Sequence, residues 1–145
     1  MWYSFISYFH ILTILVMFSS LVVELTVLKK EMNRKEAGKL VKADLLFGIF
    51  AGLTAIFGLL RMFYYGKGVD YYLINPLFII KLSAFILVGL LSIYPTITFL
   101  KLRKTKREII NLKQHKIIKL LIITEIAMLL IIPLLAVLVA NGIGV

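Results

Sequence analysis

Residues 2–28 read WYSFISYFHILTILVMFSSLVVELTVL, and the fold follows from how that stretch is read. At ~1.5 Å of rise per residue, about 20 apolar residues cross the ~30 Å hydrocarbon core of a bilayer, so the stretch is long enough to span. It nevertheless carries His10 and Glu24, which lipid would penalise. Tyr3, His10, Thr13, Met17, Ser20 and Glu24 recur at intervals of three, four or seven. On a helix advancing ~100° per residue they form one narrow face. Phe5, Ile11, Leu12, Leu15, Phe18 and Val22 leave the other faces apolar. The pattern predicts a membrane helix with an inward polar seam around which the rest of the chain packs.

Three further apolar stretches follow, at about 44–64, 76–100 and 117–139. With about 2–28 they predict an all-α integral membrane protein, one domain over 1–145 folded as an antiparallel four-helix transmembrane bundle. A hydrophobic content of 61% and a mean hydropathy of +1.01 exceed the ~45–50% apolar content of soluble domains. There is no cysteine, which excludes disulfides, thiolate metal sites and iron–sulfur clusters. No basic n-region precedes the first apolar run, so it reads as a retained span rather than a cleaved leader.

In a soluble chain the net charge of +10 would point to nucleic acid. Here fourteen of the seventeen Lys and Arg residues fall in two connections, Lys29–Ala43 and Lys101–Lys116 with the start of the fourth span. Anionic lipid headgroups and topology account for them, with no nucleic-acid partner. Positive connections stay cytoplasmic, which predicts both termini outside and, for a bacterial chain, the inner membrane. Pro76 suits a first helical turn, while Pro95 and Pro133 are expected to loosen theirs. Gly48, Gly52, Ala55 and Gly58 form a small-residue stripe that is expected to let a neighbouring helix approach closely.

The ionisable residues sort by depth. Counted from the outer ends, His10, Arg61 and Lys81 share one layer with Tyr3, Tyr64, Tyr65, Tyr71 and Tyr72. The tyrosines read as an aromatic belt. Counted from the inner ends, Glu24, Asp44 and Glu125 share another layer, near Ser92 and Thr96, with Asp44 read as a helix N-terminal carboxylate. The outer layer reads as a basic ligand site, in which Arg61 and Lys81 hold carboxylates. The inner layer reads as a proton relay. His10 is a candidate haem axial ligand or proton carrier, with Met62 a second candidate ligand at the same level.

The combination of His10, Glu24 and Asp44 with G58-L-L-R61, Y71-Y-L-I-N-P-L-F-I-I-K81-L and S92-I-Y-P-T96 resembles a bacterial membrane family catalogued as domain of unknown function 2214. That resemblance runs from about His10 to Leu100 and implies a fold and an orientation, with no enzymatic signature. More distantly the arrangement is similar to copper-resistance-type membrane proteins and the J-type protoporphyrinogen oxidase, which have an early-helix histidine and a later-helix lysine. This second likeness implies haem b or another tetrapyrrole. The segment E24-L-T-V-L-K-K departs from the oxidase pattern, where Arg-Leu-Phe with a nearby histidine is expected. Two other functions remain open: a proton- or ion-coupled transport element acting as a homo-oligomer, and an accessory subunit.

Overall fold

The computed structural model describes residues 1–144. Four of its helices are each long and apolar enough to cross a membrane: α1 (Trp2–Val27), α2 (Arg34–Leu60), α4 (Pro76–Arg103) and α5 (His115–Ala140). A short helix, α3 (Val69–Ile74), lies between α2 and α4. The long helices pack as a ring, α1 against α2 and α5, and α4 against α2 and α5, as short connections between antiparallel neighbours require. The inner end of the bundle is the one that carries the two basic connections. The core runs along the middle of the ring through Met17, Leu21, Leu40, Phe47, Val88, Phe99, Ile118, Ile122 and Leu129. Large apolar side chains such as Leu15, Ile49, Ile86, Leu90, Leu120 and Leu134 cover the outside, which is the surface a hydrocarbon solvent demands.

The first helix buries the seam its spacing implies: Thr13, Met17, Ser20, Leu21 and Glu24 are its buried residues. Tyr3, at the outer end of the stripe, is half exposed. Its polar groups are satisfied locally where they can be. Thr13 Oγ1 donates to the His10 carbonyl at 2.8 Å, Ser20 Oγ donates to Val16 at 2.9 Å, and Thr54 Oγ1 on α2 donates to Thr13 Oγ1 at 3.0 Å.

Two expectations about α2 are corrected. The helix begins at Arg34 rather than near Asp44, so it starts ten residues earlier and Asp44 lies deep within it. A capping box starts it: Asn33 Oδ1 accepts from the Glu36 N–H at 2.9 Å, and Glu36 Oε2 accepts from the Asn33 N–H at 3.0 Å. That exchange satisfies two of the donors a helix start leaves free. Lys29 adds an ion pair to Glu36 at 2.6 Å. At its outer end α2 continues as a π-helical turn, Arg61–Tyr65. The glycines of α2 also lie differently from the expected stripe. Gly48 and Gly52 are exposed, and a Cβ added at either would meet nothing within 4 Å. Gly48 and Gly52 therefore face away from the other helices of this chain, whereas Gly58 packs against His10.

The bundle is also not purely helical. The two basic connections pair as an antiparallel two-stranded sheet, β1 (Glu31–Asn33) with β2 (Ile109–Asn111), in the register Met32 opposite Ile110. Both of those central residues are buried, so the pair closes the inner end of the bundle. At the outer end Asn75 caps α4 by accepting from the Leu77 N–H at 2.9 Å, and Pro76 takes the first turn. Asn75 Nδ2 donates to the Ile143 carbonyl at 3.0 Å, and the Tyr71 hydroxyl donates to the Val139 carbonyl at 2.8 Å. Together they fasten the end of α5 to the 66–75 segment.

Candidate functional site

Three nitrogen bases from three elements converge on one cavity at the outer end. His10 comes from α1, Arg61 from the π-helical turn and Lys81 from α4, and with Gly58, Met62 and Tyr72 they line a space of about 60 Å³. Ala136, Val139 and Ala140 of α5 close it with small side chains. The π turn widens the end of α2 by one residue, a device that re-aims side chains and recurs at functional sites. Gly58 permits the approach of α1, because a Cβ there would sit 3.3 Å from His10 Cε1. Gly66 does the same for α3: a Cβ would strike the Arg61 carbonyl oxygen and lie 2.6 Å from the Tyr72 hydroxyl.

The cavity's electrostatics are one-sided. No carboxylate lines it, and among the described residues the one ion pair is Lys29–Glu36, far away on the inner side. Arg61 Nε and His10 Nδ1 are buried without hydrogen-bond partners. Aromatic rings offer partial compensation, with Lys81 Nζ 4.7 Å from the Phe78 ring centre and Arg61 Cζ 6.0 Å from that of Tyr3. A ring face compensates a cation by only ~0.5–2 kcal/mol, less than the several kcal/mol that desolvating an ion costs. The expected outer layer is thus assembled, and Tyr72, placed in it as part of an aromatic belt, lines the cavity itself. The short helix α3 carries it there. Tyr64, at 77% exposure, does belong to the surface.

His10 and Met62 supply donors of the right chemistry for a haem iron, and both line the cavity. Space decides against the fit. Cavities that take large organic ligands run to ~300–1,000 Å³, whereas this one holds a few atoms, and the His10 imidazole is already seated against Gly58.

The inner layer is assembled too. Glu24 of α1, Asp44 of α2 and Glu125 of α5 are each at least 94% buried and near enough to one another for their charges to interact. Asp44 Oδ1 accepts from Thr96 Oγ1 of α4 at 2.7 Å, so all four long helices contribute. Ser92 does not join, since its hydroxyl donates to the Gly89 carbonyl of its own helix at 2.7 Å. Glu24 Oε1 and Glu125 Oε1 are buried with no partner. Among the described residues no group of His, Cys, Asp and Glu has the geometry of a metal site. Between the two layers the seam holds Thr13 paired with Thr54, then Met17, then Ser20.

A family described as "Predicted membrane protein (DUF2214)" matches residues 3–144. No curated protein and no solved structure matches the chain, and the likeness to copper-resistance-type proteins and to protoporphyrinogen oxidase finds no support there. The family match runs through α5, well past the His10–Leu100 stretch that carries the resemblance in sequence. The chain is a membrane protein and belongs to this family.

Proposed function

We propose that the protein is a bacterial inner-membrane protein that binds a small anionic group, a carboxylate or a phosphate, in the outer cavity between α1, α2 and α4. The carrying observation is that Arg61, Lys81 and His10 meet there with no acidic partner. Unpaired cationic groups at membrane depth are costly unless an anion or water compensates them. Arg61 would offer its planar fork to two oxygens and Lys81 a mobile point charge, the division of labour that suits oxyanions. His10 would add a donor or exchange a proton with the ligand. The ligand is a small anion rather than haem b, because a macrocycle would require the helices to part.

Titration of the purified protein in detergent with inorganic phosphate or a short carboxylate tests this reading. Saturable binding that Arg61→Gln abolishes supports it. Absence of binding to either probe would refute it, as would a Soret band in protein expressed with ample haem that His10→Ala removes.

One observation favours a second reading. Glu24 and Glu125 are buried, unpartnered and held near Asp44, and a carboxyl in that setting requires a proton or a cation. A proton relay in the inner layer coupled to the outer anion would make the protein a transport element. Four helices are few for a transport path, so this reading calls for a homo-oligomer. Anion-dependent acidification of vesicles that Glu24→Gln abolishes would support it.

A further inference from the structure

A second and larger cavity lies at the opposite end of the bundle. It holds about 360 Å³ between the first turns of α2 and the last turn of α4, within the range of small-molecule pockets. Arg34, Lys42 and Arg103 line it, with no acidic residue among the lining groups. Glu36, the nearest acid in sequence to Arg34, is engaged by Lys29. The remaining walls are largely apolar, chiefly Val41, Leu45 and Leu102. The crevice is open beside Gly38, where a Cβ would meet nothing within 4 Å.

The lining is graded along the bundle axis. Arg34 and Arg103 sit at the inner ends of their helices. Val41 and Leu45 lie ~10 and ~16 Å further along α2 at 1.5 Å per residue. A ligand complementary to that gradient is anionic at its inner end and apolar toward the bilayer centre. We infer that this crevice is a binding site for one anionic phospholipid of the inner leaflet, its phosphate held by Arg34 and Arg103 and an acyl chain laid along Val41 and Leu45. Guanidinium groups bind phosphate oxygens in pairs, and Lys42 adds a third positive charge to the lining. A free phosphate would satisfy the cations and leave the apolar wall unused. The site is independent of the outer anion cavity, sharing no residue with it.

Native mass spectrometry of the detergent-purified chain, mixed with phosphatidylglycerol or phosphatidylcholine of identical acyl chains, measures the site. One phosphatidylglycerol is expected to bind about tenfold or more tightly than phosphatidylcholine, whose headgroup carries the same phosphate but adds a quaternary ammonium that Arg34, Lys42 and Arg103 repel. Arg34→Gln/Arg103→Gln should abolish the preference, whereas Lys106→Gln/Lys113→Gln, which removes the same charge from the same side, should keep it. Gly38→Leu fills the crevice without altering any charge and should also abolish it, so the proposal does not hang on the double variant folding. Equal loss in both double variants, or full retention in Gly38→Leu, would show that general surface charge does the binding and would overturn the site. Displacement of the lipid by millimolar glycerol phosphate would overturn the phospholipid in favour of a free phosphate ligand.

Discussion

Replacing Lys81 with methionine should make the protein more stable without an anion and less stable with one. Lys81 is partly buried on α4, shares its cavity with Arg61 and His10, and has a single compensating neighbour, the Phe78 ring at 4.7 Å. Methionine keeps most of the side-chain length and the apolar contacts while removing the charge. Desolvation costs several kcal/mol for a fully buried ion, less here because Lys81 keeps some exposure, and the cation–π contact returns ~0.5–2 kcal/mol. The net gain for Lys81→Met in anion-free buffer is then about 1–2 kcal/mol, or a midpoint increase of roughly 2–8 °C for a chain of this size. Saturating anion reverses the order. At 100 times its dissociation constant a ligand stabilises wild type by ~2.7 kcal/mol, and the variant, lacking a charge that holds it, gains little. The assay is thermal unfolding in detergent, with and without inorganic phosphate, at constant ionic strength. A variant less stable than wild type in both buffers would refute the reasoning, because it would mean that Lys81 has an internal partner worth more than its desolvation.

Three other outcomes follow from the same geometry. Gly52→Leu, which a tight small-residue crossing would forbid, should be neutral or stabilising by up to ~1 kcal/mol through helix propensity, since Gly52 faces nothing within the chain; a large drop in the detergent melting temperature would show that another helix seats there. Gly66→Ala should destabilise by ~1–3 kcal/mol, because its methyl collides with the Arg61 carbonyl oxygen and the Tyr72 hydroxyl and the rigid carbonyl cannot move aside; an unchanged melting temperature would count against the close turn. Reporter fusions at the C-terminus should be active on the outer side only, and a fusion within the Lys104–Arg107 stretch only in the cytoplasm, as the charge asymmetry requires; the opposite pattern would invert every assignment of inner and outer.

Much of this architecture is local and therefore legible in one dimension. Apolar runs of spanning length mark four helices, Asn75–Pro76 marks the start of α4, and the recurrence of His10, Thr13, Met17, Ser20 and Glu24 marks the face α1 buries. Depth counted from the helix ends placed His10, Arg61 and Lys81 in one layer and Glu24, Asp44 and Glu125 in another, because helical rise is constant. One local signal was overridden by composition: the Asn33-x-x-Glu36 capping box starts α2, but the lysines at 35, 39 and 42 make the segment look like a loop.

What remained was decided only in three dimensions. The pairing of Met32 with Ile110 joins segments far apart in the chain and is too short to leave a periodic trace. Tyr72 lines the cavity with its hydroxyl against Gly66, a close approach that a Cβ at that position would block. Gly48 and Gly52 carry the same motif as Gly58, yet two face outward and one faces His10. Lipid and helix interior are about equally apolar, so hydrophobicity does not tell a helix which of its faces meets a neighbour. That choice belongs to the packing of all four helices, and the same packing leaves Arg61, Lys81 and the buried carboxyls without partners of opposite charge.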